Sequence, residues 1–458
     1  MRSSTSGSAK DSVQSVYISG VTGVASADTS PLRWCFAVQA GGGSPVSTTT
    51  SHIPAARSRG LDRAQRGAFL GALIGWIFDY YEVFLMTLLV VPIAKEFDLG
   101  SGQVGLLLGM QLLFMGVGGV LFGWLADRIG RKKVLIITIA MFSVFTFARA
   151  LSPSYEVLLI LTCVAAIGIG GEYGVGQTLV AEIVPPHRRG WWSGLLYGGV
   201  YVGIVAGSLV GGYLMPEIGW RWTFVISGLP VLFALWVRRH TPESEVWASR
   251  VRQTSEGRAE RTRISPAIVR VWLLCVLAAS LQFFAYYGIA SFLPSYLVEQ
   301  GSSVTSASTW LLFTAVAGGV GCFIGSYLSD RLGRRKTLFL LSLLAFVSGL
   351  ALVATWDQLL DGGTWVRVVF FAFFVGANGP AVFGALFSES FPADIRATAV
   401  SSSLQLARSL SFFPPIVAAA LVPSFGYQPI VLAAGIMFGC LAALSWTFTE
   451  TNGKQLTT

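Results

Sequence analysis

Four charged residues fall inside stretches that are otherwise almost wholly apolar: Asp79, Glu82, Glu172 and Arg408. None has the company that bond-making chemistry needs. The three histidines (His52, His187 and His240) lie in polar segments, with no nucleophile–base grouping or metal-ligand spacing near them. An enzyme is therefore not expected, nor a metal or other cofactor. What these residues can do is take up protons and grip ions. Asp79 and Glu82, in FDYYEVF (78–84), are three apart and share a face if the run is helical. Two carboxylates on one face in a poor dielectric do not both ionise easily, so a proton held in common is expected. Protonation would remove the charge that resists enclosure. Glu82 is the first candidate for carrying that proton and Asp79 the second. Glu172, in IGIGGEYG (167–174), is the third; its glycine-faced helix packs closely, so pairing with a neighbouring helix is its other reading. Arg408 is the candidate anchor for a small anion, because a guanidinium grips a carboxylate with two hydrogen bonds. Its other reading is a structural pair with one of the acids.

The elements that must position these charges follow from composition. The chain of 458 residues is 53% hydrophobic and 12% charged, against about 25% charged in soluble domains. Twelve apolar runs approach or exceed the ~20 residues that span a hydrocarbon core, near 68–93, 104–125, 134–151, 155–181, 193–215, 222–237, 270–296, 308–328, 336–355, 365–388, 398–422 and 428–448. Runs of this length are helices and not barrel strands. The expected fold is an all-α membrane protein of twelve transmembrane helices. Asp79, Glu82, Glu172 and Arg408 then lie at similar depth near the bilayer centre, where a charge costs at least ~2.5–3.5 kcal/mol and faces a polar cavity or a partner. Gln282, Asn378 and Gln405 fall at comparable depth, and Trp76, Tyr80, Tyr286 and Tyr287 are candidates to line the same cavity. Arg149, near the far end of its span, is expected to snorkel. The five cysteines show no pairing pattern, and all but Cys35 read as small buried hydrophobes.

The net charge of +9 is spread over a tail and short loops, a topology signal and not a nucleic-acid face. DRIGRKK (127–133), HRR (187–189), the 238–270 loop, DRLGRRK (330–336) and DIR (394–396) lie on one side. The opposite connections, EFDLGSG, SPSY, EQGSSVTS and SFGYQ, are nearly free of Lys and Arg. The positive-inside bias puts both termini in the cytoplasm. The expected organisation is a Ser/Thr-rich disordered tail (1–64), a six-helix half (65–237), a linker (238–269), a second six-helix half (270–449) and a short tail (450–458). The first tail reads either as an organellar transit peptide or as an upstream mis-assigned start. The halves repeat: DRIGRKK and DRLGRRK lie 203 positions apart, AEIVPPHRRG (181–190) and SESFPADIRA (388–397) 207, and FDYYEVF stands 206 before FAYYGIA (284–290). Two such repeats place a site between them at midplane.

GWLADRIGRKK (123–133) matches the pattern G-x-L-x-D-R-x-G-R-[RK]-[RK] and resembles the loop between the second and third spans of the major facilitator superfamily. The copy SYLSDRLGRRK (326–336) matches except for Ser326 in place of Gly. The resemblance covers roughly residues 66–455. FDYYE, IGIGGEYG, SESFPADIRAT (388–398), LARSL (406–410) and ETNGK (450–454) are similar to the proton-coupled metabolite carriers that take sialate, aromatic acids, other carboxylates and sugars. That branch carries D-G-[FY]-D in its first span, its second acid linked to coupling; Asp79-Tyr80-Tyr81-Glu82 resembles it. The resemblance implies gating by Asp127, which is placed to pair with Arg131 and accept from the start of a neighbouring helix, latching the halves in the outward-open state. Asp330, Arg331 and Arg334 repeat Asp127, Arg128 and Arg131; Glu182, Glu389, Arg189 and Arg396 complete the gating set. Arg128, Lys132 and Lys133 also read as topology anchors and lipid-headgroup contacts.

Two features depart from the branch. Many proton-linked members carry an Arg in the fourth span where this chain has Thr162, which leaves Arg408 to supply the counter-charge. Gly194, Gly203, Gly207, Gly211 and Gly212 reproduce the glycine spacing of antiporters, with Ser208 where that motif has Pro, and read as a close-packing face. The expected function is transport of a small organic anion, a carboxylate or sugar acid, by alternating access with proton symport. Its partners are the substrate, protons and the bilayer, with no nucleic acid, and the expected assembly is a monomer in the plasma (inner) membrane, or an organellar one if the tail is a transit peptide. Two other readings stand beside it: a proton-independent facilitator or exchanger of a neutral sugar or polyol, and a transporter-like sensor.

Overall fold

The computed structural model describes residues 61–229, 233, 236, 241–257, 262–290, 304–358 and 363–456. Nearly all of the 1–64 tail, most of the end of the sixth expected span and residues 299–303 of the EQGSSVTS connection lie outside the described residues. Helices are the regular structure among those described. In the first half they are α1 (Arg63–Glu96), α2 (Ser101–Ile129), α3 (Arg131–Arg149), α4 (Tyr155–Ile183), α5 (Arg189–Leu209) and α6 (Met215–Ser227). A short α7 (Glu245–Ser255) stands in the linker. The second half has α8 (Pro266–Ala290), α9 (Val304–Leu332), α10 (Arg334–Ala354), α11 (Thr364–Gly376), α12 (Pro380–Ser390), α13 (Arg396–Leu410), α14 (Phe413–Phe425) and α15 (Gln428–Ser445). Eight helical stretches among the described residues are long and apolar enough to cross a membrane. α3 is not among them because Arg131, Lys132, Lys133 and Arg149 crowd its 19 residues, and α13 because it is 15 residues long; both also bury polar side chains, Thr138, Ser143 and Thr146 on one and Ser401, Ser402, Ser403, Gln405 and Arg408 on the other.

Local chemistry sets the helix ends. Asp62 and Gln65 form a reciprocal cap at the start of α1, the Asp62 carboxylate accepting from Gln65 N at 2.7 Å. Gly130 and Gly333 turn the chain sharply from α2 into α3 and from α9 into α10 at φ of +104° and +99°, a region that L side chains rarely adopt. A Cβ at either glycine would collide with a carboxylate, Glu243 at Gly130 and Glu450 at Gly333. A second kind of interruption lies between α11 and α12, where Ala377, Asn378 and Gly379 break one span in two. The backbone groups this frees are answered by side chains: Asn378 Nδ2 donates to Phe374 O at 2.7 Å and Gln282 Nε2 to Ala377 O at 2.9 Å.

The halves meet along two matched seams, α2 against α13 and α5 against α9. Small residues let the backbones approach. A Cβ at Gly123 would lie 2.8 Å from Ala397 O, and Gly116 and Gly119 lie against Ser409 and Gln405. On the other seam Gly194 meets Ser326, and Gly318 lies under the Tyr201 ring. Within the first half, Gly203 and Gly207 seat α5 on α1 at the backbone of Ile77 and Tyr81. The antiporter-like glycines of the fifth span are thus mostly a packing face.

Candidate functional site

Midway along the bundle α1 and α13 face each other across the halves. Asp79 is fully buried, and its Oδ2 lies 3.2 Å from Arg408 Nη1. The guanidinium also sits 4.4 Å over the Tyr80 ring and 5.6 Å from the Trp76 ring. Trp76 is stacked on Tyr173 at 3.8 Å and 21°, and its Nε1 donates to Tyr197 O. Beside this group a narrow cavity is lined by Tyr80, Phe84, Tyr197, Gln282, Tyr286 and Tyr287 among others, with about 10 Å³ of free space, room for about one water. Its walls come from both halves. Tyr286 and Tyr287 stand edge to face at 5.6 Å. Asn378 accepts from the Tyr201 hydroxyl at 2.8 Å, a second bond between the halves. Gln405 lies elsewhere, in the seam of α13 with α4, donating to Gly170 O at 2.8 Å.

Glu82 does not join Asp79 in this group. It turns into its own half, where Arg149 makes an ion pair with it and the Thr146 hydroxyl donates to it at 3.2 Å. Arg149 does not snorkel: it is fully buried, because its span carries it past α1 at the level of Glu82, and its guanidinium lies 5.4 Å from the Phe224 ring. The two carboxylates of FDYYEVF therefore have separate cations, and the shared-proton arrangement is not what the side chains form. Glu172 is buried with its Oε2 2.7 Å from Thr138 Oγ1 and its Oε1 set against Gly75, and no cation is bridged to it among the described residues. Thr162 is fully buried, its hydroxyl without a partner among the described residues.

The basic end of the bundle holds two matched clusters. In the first, Asp127 accepts from Ala397 N (3.1 Å), Thr398 N (2.8 Å) and the Thr398 hydroxyl (2.7 Å) at the start of α13, and pairs with Arg131 at 3.1 Å. Glu182 bridges Arg131 of its own half (3.2 Å) and Arg396 of the other (2.7 Å). In the second, Asp330 accepts from Gly190 N and Trp191 N at the start of α5, both at 2.8 Å, and pairs with Arg334 at 2.7 Å. Glu389 bridges Arg334 (3.1 Å) and Arg189 (2.8 Å). Arg128 and Arg331 stand outside both clusters. Each is exposed and laid over an exposed aromatic four residues earlier, Trp124 at 3.7 Å and Tyr327 at 4.5 Å.

Sequence reasoning missed the residues that brace these clusters. Glu243 accepts from Arg131 N at 2.9 Å and Trp247 Nε1 donates to Asp127 O at 2.8 Å, so the start of the linker holds the first elbow. Glu450 accepts from Arg334 N at 2.9 Å, and the Thr451 hydroxyl donates to Glu389 at 2.6 Å. The signal was present: Glu243 and Glu450 lie 207 apart, the same offset that relates Glu182 to Glu389. Farther along the linker, Thr262 donates to Asp394 through its N and its hydroxyl, both at 2.6 Å, with Arg250 at 3.7 Å. Burial alone would push the Asp394 carboxyl up, but the Thr262 bonds and the Arg250 charge hold it below the usual carboxylate range.

A helical membrane protein in two repeated halves, joined by an ion pair at mid-depth and by mirrored charge clusters at one end, is a carrier and not an enzyme. The comparisons agree. The profile of the Major Facilitator Superfamily matches residues 68–414, and the chain belongs to that family, with its twelve spans in two six-helix repeats. It is 30% identical over 401 residues to a metabolite transport protein of Haemophilus influenzae, covering 85% of this chain and 97% of that one. It is 29% identical over 360 residues to the cis,cis-muconate transport protein of Acinetobacter baylyi, covering 77% and 86%. Its fold is similar to that of the proton:xylose symporter XylE bound to 6-bromo-6-deoxy-D-glucose, at a TM-score of 0.72 and 20% identity over 86% of this chain and 98% of that one. The protein is an integral membrane transporter of small organic metabolites.

Proposed function

We propose that the chain carries a small planar organic anion together with a proton, and that Asp79 and Arg408 perform the exchange. The observation that carries this reading is the Asp79–Arg408 pair, because its two members belong to different halves. Glu82 has its cation within the first half and keeps it however the halves move. Asp79 has its cation only while α1 and α13 are apposed. An arriving carboxylate competes for the Arg408 fork, and Asp79, displaced, takes a proton. The site then holds Arg408⁺ with the substrate anion and a neutral Asp79, so its net charge is the same loaded as empty. That balance avoids enclosing an uncompensated charge, which is costly at this depth. The aromatic walls favour a flat, unsaturated acid over a polyhydroxylated one, since stacking surface outweighs hydrogen-bonding side chains along the cavity. Muconate, the substrate of one relative, is of this kind. The basic end is the cytoplasmic one by the loop charges. Its clusters close that side, so release inward requires Asp127 and Asp330 to let go of α13 and α5. The working unit in this reading is a monomer in the inner membrane.

The test is flux into proteoliposomes for a panel of unsaturated and aromatic acids and neutral sugars, with and without an imposed proton gradient. Acids, not sugars, should accumulate against their gradient when the outside is acid. Asp79→Asn should still exchange labelled for unlabelled acid but lose accumulation. Sugar uptake indifferent to pH, or binding with no flux, would replace this reading by a facilitator or a sensor.

A further inference from the structure

The Glu82–Arg149 pair takes no part in the exchange just proposed, yet it lies one helical turn from Asp79 inside a bilayer-spanning bundle. A brace between α1 and α3 could be built from apolar side chains at no greater cost. Arg149 is also poorly used as a hydrogen-bond donor: its Nε and one terminal nitrogen have no partner among the described residues. What the guanidinium supplies is charge. The groups facing Asp79 are Glu82 and Tyr80 on its own helix, Glu172 on α4 and Arg408 on α13, while Tyr287 on α8 faces Tyr80 and Arg408. Those facing Arg149 are Glu82 on α1 and Cys163 on α4, with Thr146 bonded to Glu82 and the Phe224 ring alongside. Glu82 thus stands between Asp79 and Arg149 in both position and charge.

We infer that Arg149 and Glu82 are positioning residues that keep the charge beside Asp79 balanced, and so set the pH range over which the carrier accumulates its substrate. The inference rests on the proposed role of Asp79. A unit charge about one turn away, at an effective dielectric near 20, moves a titration by roughly one to two pH units. Removing Glu82 alone leaves Arg149⁺ near Asp79 and disfavours its proton. Removing Arg149 alone leaves Glu82⁻ and favours it.

The experiment compares pH profiles of gradient-driven uptake in proteoliposomes for Glu82→Gln, Arg149→Gln, the double Glu82→Gln/Arg149→Gln and the swapped pair Glu82→Arg/Arg149→Glu. The Glu82→Gln profile should move to acid and that of Arg149→Gln to alkali, each by about one to two units. The double should lie between them, near the unaltered protein, and the swapped pair on its acid side. Singles that shift in the same direction, or not at all, overturn the inference and leave the pair a brace. If the singles fail to assemble, the swapped and double variants decide, since neither leaves an unpaired charge. Coincident profiles for those two overturn the inference. An unaltered protein with no pH-dependent uptake overturns the functional reading itself, and with it the inference.

Discussion

Asp127→Asn probes the mirrored clusters most directly. The carboxylate serves four partners: Ala397 N and Arg131 on Oδ1, and the Thr398 amide and hydroxyl on Oδ2. Asparagine keeps one acceptor oxygen and sets an N–H₂ group where the other stood, facing donors. Whichever way the amide turns, two partners are lost. A hydrogen bond to a charged group is worth about 1.5–3 kcal/mol. With some relaxation of the Thr398 side chain, the closed basic end should lose about 3 kcal/mol, a factor of about a hundred in its population. Arg131 stays paired to Glu182, so folding should survive. The assay is maleimide labelling of Ser401→Cys in a background without the native cysteines. Residue 401 is buried in the closed seam and should react only when the basic end opens. Labelling should accelerate at least tenfold and net transport should slow, while substrate affinity changes by no more than a few fold. Unchanged labelling with lost binding would refute the latch and move Asp127 to the substrate path.

Two further outcomes follow from the same geometry. Arg408→Lys keeps the charge but loses the fork, so equilibrium binding of an acidic substrate should weaken about ten- to a hundred-fold; wild-type affinity would remove Arg408 as the anchor. Asp394 is held below the usual carboxylate range when docked to Thr262, so its contribution should be fully present above about pH 4 and fade only as pH falls through the lowered value. The Thr262 amide should keep its hydrogen-exchange protection down to about that pH, and Asp394→Ala should abolish it at neutral pH.

What was legible in the chain was whatever repeats or obeys a length rule. The spans could be read because a hydrocarbon core demands a minimum run of apolar residues. The paired acids of the basic end, Asp127 and Asp330, could be read because DRIGRKK recurs as DRLGRRK. The pairing of buried charges was not legible. Asp79 and Glu82 look equivalent along a helix, and only the crossing of α1 with α3 and α13 sends one to Arg149 and the other to Arg408. The reading of Arg149 failed for the same reason: its position near a span end suggests snorkelling, but a carboxylate at its level offers a shorter route to compensation. Gln405 was placed by depth alone, and depth does not say which face of α13 it occupies.

The repeat sharpens the case for Asp79. At the basic end both halves keep the same acids and arginines, as they must if each half closes on the other in one symmetric motion. At mid-depth the symmetry stops. FAYYGIA sets Ala285 and Gly288 where FDYYEVF has Asp79 and Glu82. The 207 offset sets Tyr201 opposite Arg408, and each of those two residues reaches across to the other half, Tyr201 to Asn378 and Arg408 to Asp79. One bridge is therefore neutral and the other charged. No proton at physiological pH alters a phenol–amide bond, so the Tyr201 bridge answers only to the separation of the halves. In the proposed cycle the Asp79–Arg408 bridge answers to separation, to a proton and to a competing anion at once. A device that must link those three events needs one such bridge. Giving the second half its own copy would bury another pair of ions at the same depth and add no further coupling.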